Sequence, residues 1–175
     1  MPICVTLRAV YIGPERPMSL SSQPQSPVKE TARIADQLRR AYRGPAWHGP
    51  SLKAILYDVR EEQANRRPIS GAHSTWEIVL HITAWLAIAR ERLSATMGRD
   101  IPDEEDWPAP SGSWRDALEK LEVEVNALEQ AILRFPDERL QEPAPAKEPQ
   151  TFYILLHGVV QHTLYHAGQI IVLNK

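Results

Sequence analysis

Apolar positions recur along the chain at alternating spacings of four and three. Between Trp114 and Phe135 the sequence reads Trp114, Leu118, Leu121, Val125, Leu128, Ile132, Phe135, the seam of a helix packed in a bundle. The same rule gives Ile78, His81, Trp85 and Ile88 in an earlier stretch. It gives Leu155, Val159, His162, His166, Gln169 and Leu173 in the last one. No run alternates with a period of two, so no strand is expected and the fold class is all-α.

Proline, which breaks a helix interior, parses the rest. The fifteen prolines fall in the N-terminal tail or between five proline-free stretches, Val28–Arg43, Ser51–Arg67, Ser74–Met97, Ser113–Phe135 and Gln150–Leu173. Start signals sit at their edges. Ser26-Pro27 offers an N-cap with proline at the first helical position. Ser74-Thr75-Trp76-Glu77 is a capping box, and Ser113-Trp114-Arg115-Asp116 is a looser one. Pro149 is expected to open the last helix and Gly98 to close the third. The second stretch predicts only a short helix over Ser51–Val59 followed by a helical turn. No internal repeat is evident.

The chain has 175 residues, one domain's worth, with a formal net charge of −2. Basic and acidic residues are mixed rather than blocked, so nothing suggests a nucleic-acid surface. The lone cysteine, Cys4, excludes a disulfide within the chain, as well as zinc ribbons and fingers. A reducing, cytoplasmic setting fits that usage. No apolar run approaches the roughly 18 residues of a membrane span. Residues 1–26 are expected to form a poorly ordered extension, rich in Pro and Ser over Gly13–Pro27, with the functional chain beginning near Met18. Residues 27–175 form the helical domain.

Chemistry enters through the histidines. His162 and His166 are four apart on a strong helix, which places both rings on one face roughly 6 Å apart along the axis. Two such imidazoles can share one metal ion. Both occupy the apolar seam, and His81 holds the equivalent place in another helix. Each buried polar group without a partner costs about 1–3 kcal/mol, and metal coordination removes that cost. The competing reading is three core histidines hydrogen-bonded to neighbouring polar groups. His157 lies about 140–180° around the helix from the pair and is expected to stay outside the site.

Other residues are candidates to line a pocket at the metal. Trp85 lies one turn from His81 and equally suits core packing. Gln169 lies close to the ligand face, where it can orient a ligand or meet a polar contact at the bundle end. Tyr165 lies partly off that face. His48, in the turn Trp47-His48-Gly49-Pro50, reads either as a loop over the pocket or as a plain turn. His73 reads as a cap-region residue near the mouth. Thr163 follows His162, so the His-Glu-x-x-His of a zincin protease, with its glutamate base, is absent. Nucleophile elbows and phosphate loops are absent too.

Two segments, His73-Ser74-Thr75-Trp76-Glu77-Ile78-Val79-Leu80-His81-Ile82 and His157-Gly158-Val159-Val160-Gln161-His162-Thr163-Leu164-Tyr165-His166-Ala167-Gly168-Gln169-Ile170, resemble the DinB/YfiT-like superfamily. The resemblance runs from about Pro27 to the C-terminus. It implies a four-helix bundle of up-down-down-up connection with a metal between helices, and it places the family's histidine triad on His81, His162 and His166. It further implies zinc or nickel, a small-molecule substrate, frequent homodimers and, in some relatives, a low-molecular-weight thiol cosubstrate.

Three protein ligands leave a fourth position open, the layout of a catalytic site. Water bound there suits a metal-dependent hydrolase. A thiol bound there is held as thiolate and suits an S-transferase, which needs no carboxylate base, so the missing glutamate tilts the reading toward the transferase. The alternative outside enzymology is a metal-stapled binding or dimerisation module. Four protein ligands and no cavity would mark a staple, and surplus apolar surface away from the histidines would mark a dimerisation surface.

Overall fold

Four helix starts, at Ser51, Ser74, Ser113 and Thr151, are set by side-chain oxygens placed one turn ahead of free backbone N–H groups. The computed structural model describes residues 28–175. Seven α-helices follow in order: α1 Glu30–Arg43, α2 Leu52–Leu56, α3 Glu61–Ala64, α4 Thr75–Arg92, α5 Asp103–Asp106, α6 Trp114–Arg134 and α7 Phe152–Leu173. A single 3-10 turn, Asp137–Arg139, lies between the last two. No strand occurs among the described residues. At α4 the Ser74 hydroxyl accepts from the Glu77 N–H at 3.2 Å, and the Glu77 carboxylate accepts from the Ser74 N–H at 2.8 Å. Ser113 and Asp116 repeat this reciprocal pair at α6, with both bonds at 3.1 Å.

Two expected starts differ. Ser26-Pro27 lies outside the described residues. Within them, α1 has no cap from its own N-cap residue, Lys29. Its first N–H groups donate instead to Asp137, at 2.7 Å from Glu30 and 3.1 Å from Thr31, and the Thr31 hydroxyl adds a bond of 2.6 Å. Pro149 does not open α7. The cap is Thr151, whose hydroxyl accepts from the Ile154 N–H at 3.3 Å. The Phe152 and Tyr153 N–H groups donate to the carbonyls of Glu142 and Leu140 in the incoming chain.

One expected end differs as well. α4 stops at Arg92 rather than running to Met97. The chain tightens there through Leu93 N–H to Arg90 carbonyl and Ser94 N–H to Glu91 carbonyl. Arg99 then folds back onto Glu91 and Glu105, at 2.9 and 2.7 Å. Gly98 lies beyond the helix, against the backbone of Ala146. The second stretch takes the expected form, with the short helix α2 and the single turn α3.

The long helices α1, α4, α6 and α7 make the bundle, with α1 and α4 each packed against both α6 and α7. Their directions follow from paired ends. Thr31 at the start of α1 meets Asp137 just past the end of α6. Trp76 at the start of α4 packs edge-on against Trp114 at the start of α6. Asn174 at the end of α7 donates to Thr75 at the start of α4 at 3.0 Å. Relative to α1, helices α4 and α6 therefore run down and α7 runs up, the up-down-down-up order. Leu38, Val79, Ile82, Leu121, Leu128 and Leu156 fill the centre with no solvent exposure. The predicted α6 seam is buried throughout except Leu118, which is partly buried against the core.

Candidate metal centre

The antiparallel pairing of α4 with α7 brings the three histidines together. The Thr75–Asn174 contact fixes the register at one end of the pair. Roughly two turns in from that end, His81 on α4 is level with His166 on α7, and His162 follows one turn further. His81 and His166 are buried and His162 is largely so. The His162 Nε2 lies 3.0 Å from the Nε2 of His81 and 3.0 Å from that of His166. One ligand atom from each ring falls within 4.8 Å of the others.

The partners on the far side of two rings set their tautomers. His81 Nδ1 sits 2.6 Å from the Asp106 backbone carbonyl, which can only accept, so Nδ1 carries the proton. His166 Nδ1 sits 2.6 Å from Gln169 Oε1, whose amide N–H donates onward to the Tyr165 hydroxyl at 3.2 Å. Both Nε2 atoms therefore turn lone pairs inward. His162 Nδ1 is buried with no hydrogen-bond partner among the described residues. The His162 ring has a single proton to give to its two Nε2 neighbours. Burial lowers the pKa of all three rings below the ordinary imidazole value, for His162 to about 4, with the neighbouring rings adding to the effect there. They are neutral at pH 7, the form that binds metal.

That donor set fits a divalent cation. Three imidazole nitrogens at about 2.0–2.1 Å from one tetrahedral zinc stand roughly 3.3 Å apart, close to the spacing here. Imidazole donors suit zinc, nickel, copper and iron alike.

Two residues at the centre were not singled out in the sequence, and both come from the segment around α5. Trp107 stacks on His81 with centroids 3.8 Å apart, and also on His73 at 3.6 Å. Asp106 places a carboxylate oxygen 3.2 Å from His81 Nδ1, and the same oxygen accepts from Trp85 Nε1 at 2.6 Å. α5 is a single turn, too short for periodicity to mark. The visible signal was an acidic run ending in tryptophan between Pro102 and Pro108.

Two cavities meet at the histidines. The larger, about 740 Å³, is lined by His73, His81, Trp107, Tyr165, His166 and Gln169 among others. The smaller, about 370 Å³, reaches His81 and His162 and is walled by Trp85, Asp106, Arg92 and Ile154. Trp85, Tyr165, Gln169 and His73 each line one of these two cavities. His48 does not. It lines a separate cavity with Trp47, Gln37 and Val160 that touches none of the three histidines. Val160 and Leu164, on which that loop rests, lie about 200° around α7 from His162, which is why the loop cannot cover the site. His157 also stays apart, 3.6 Å from Glu30 and packed against Tyr153.

Among the described residues no helix is long and apolar enough to cross a membrane. No curated protein matches the chain. A crystal structure titled as that of a conserved protein of locus from Enterococcus faecalis is similar, with a TM-score of 0.65 and 15% identity over 84% of this chain and 96% of that one. At that identity the likeness speaks for the fold alone. The model of the DinB superfamily matches residues 46–170, a span that takes in all three histidines. With an all-α bundle and a sequence match over most of its length, the chain belongs to the DinB superfamily.

Proposed function

We propose that His81, His162 and His166 hold one divalent metal ion, zinc or nickel, and that the protein is a metal-dependent enzyme acting on a small molecule. The observation that carries this reading is the convergence of three neutral ring nitrogens where two cavities meet. A metal held there supplies a Lewis acid that lowers the pKa of a water or thiol it binds. Gln169 and the Asp106 carbonyl hold their rings in the ligating tautomer. Trp107 and Trp85 wall the site. The three most exposed apolar side chains of α7, Ile154, Tyr165 and Val172, line the two cavities, which supports a ligand site over a dimerisation face elsewhere.

Thiol-dependent S-transfer is the preferred chemistry, because a thiol bound to the metal is deprotonated by the metal itself and needs no carboxylate base, and the residue after His162 is Thr163 rather than a glutamate. Metal-dependent hydrolysis is the second reading, favoured by Asp106. One of its oxygens is engaged by Trp85 and His81, the other has no hydrogen-bond partner among the described residues, and the residue lines the smaller cavity.

Metal analysis of the purified chain should find about one divalent ion per chain. His162→Ala should lose it and His157→Ala should keep it. Retention in the first variant would overturn the site. The loaded protein should then be assayed with electrophiles and several cellular thiols, beside an ester and amide hydrolysis panel. Turnover in the thiol arm supports the transferase, and turnover in the other supports the hydrolase. Silence in both would overturn the enzymatic reading in favour of a metal-stapled module.

A further inference from the structure

Arg92 is the last residue of α4 and is only 9% exposed, yet its side chain forms no hydrogen bond or ion pair with any described residue. Its neighbours in sequence are all engaged. Arg90 pairs with Glu124 at 2.9 Å. Glu91 accepts two bonds from Arg99, both at 2.9 Å. Arg92 instead turns inward and lines the smaller cavity. Its guanidinium carbon lies 5.6 Å from the Trp85 ring centre, and the His162 ring centre lies 6.0 Å from that same ring.

An arginine keeps its charge under all ordinary conditions, and one whose stem is covered while its charged end has no counterion is open to an anion. Burial pulls the Arg92 pKa down, with Arg99 adding to the effect and Glu91 opposing it. Stacking over Trp85 and the last-turn position on α4 offer partial compensation. The antiparallel α7 brings a helix N-terminus to the same end, and its dipole opposes that of α4. The guanidinium fork has no partner among the described residues, and Arg92 lines a cavity of ligand size, about 370 Å³.

We infer that Arg92 is an anion-recognition residue, and that the smaller cavity takes a small organic carboxylate with its anionic group on Arg92 and its apolar remainder along Ile154 and Val159 toward His162. A carboxylate fits the planar fork in two parallel bonds. A phosphate fits less well, because its second charge would meet a single cation and would face Asp106 across the same cavity. The inference rests on the reading of His162 and its neighbours as a metal-bearing centre, whose substrate class it names.

The test uses the zinc-loaded full chain, with benzoate as probe, benzamide as its neutral counterpart and phenyl phosphate as the dianion. Calorimetry should show benzoate binding that Arg92→Met weakens about 10- to 100-fold, with Arg92→Lys intermediate. Benzamide should bind weakly and equally to all forms, and phenyl phosphate no better than benzoate. Without ligand, Arg92→Met should melt close to the wild-type temperature, because no hydrogen bond or ion pair is lost. A lower melting temperature with unchanged benzoate affinity would show Arg92 to be a structural cation on Trp85 and would overturn the inference. Benzoate affinity equal in wild type and Arg92→Met would also overturn it, by pointing to direct metal binding. A wild-type chain that takes up no zinc yet binds benzoate through Arg92 would sink the metal reading and support the carboxylate site.

Discussion

Gln169 and Asp106 hold two of the three histidines by different means, and the difference predicts unequal effects on metal affinity. Gln169 reaches His166 Nδ1 with its side chain at 2.6 Å. Asp106 reaches His81 Nδ1 at 2.6 Å with its backbone carbonyl, and its carboxylate adds a longer contact of 3.2 Å. Gln169→Leu therefore removes the only acceptor among the described residues that fixes the His166 tautomer. Loss of such an outer partner lowers metal affinity about 10- to 100-fold, or about 1.4–2.8 kcal/mol. Asp106→Ala keeps the carbonyl that fixes the His81 tautomer and loses the carboxylate's longer contact to His81 together with its bond to Trp85, so its affinity should fall less than that of Gln169→Leu. Gln169→Glu keeps an acceptor in place and should retain or raise affinity. The assay is competition for zinc against a chromophoric chelator at pH 7.5, with urea midpoints of the metal-free variants to exclude unfolding. An unchanged affinity in Gln169→Leu, or an equal loss in Asp106→Ala, would refute the reasoning.

Two further predictions concern the frame around the site. Asp137→Ala should cost about 1–2 kcal/mol, because it removes the cap of α1, and the loss should be read by urea denaturation at pH 6. The Asp137 pKa is lowered in the folded state, chiefly by the Thr31 hydroxyl, so its contribution is complete above the unfolded carboxylate value of about 3.9 and fades as pH falls through the folded one. The gap between wild type and variant should therefore narrow as pH falls below about 3.9, and a gap that stays constant across the acid range would contradict the ionic cap. Gly98→Ala would place a Cβ 2.9 Å from the Ala146 backbone nitrogen, and should destabilise by about 1–3 kcal/mol through displacement of that loop. A melting temperature unchanged by the substitution would show that the loop yields freely.

Much of this protein was legible before any coordinates. α4 and α6 were marked by their caps, and α4, α6 and α7 by spacings of three and four, because helix closure and side-chain periodicity act within four residues. The pairing of His162 with His166 was local in the same sense, as was the exclusion of His157. By spacing His81 was legible only as a histidine on a seam, and the family resemblance joined it to the pair.

What the sequence could not carry depends on packing register. The antiparallel meeting of α4 with α7 decides that His81 stands level with the pair. The cap of α1 lies at Asp137, more than a hundred residues away, so no local pattern could announce it. α4 ends at Arg92 because Arg99 closes on Glu91 and Glu105, a choice among many possible charge partners. Trp107, Asp106 and His48 are loop or single-turn residues, whose placement follows from the surface they rest on. Arg92 makes the same point most sharply. Its position in a last helical turn is the ordinary one for a basic residue, and only the folded bundle shows that this charge is buried, unpaired and turned toward the histidines.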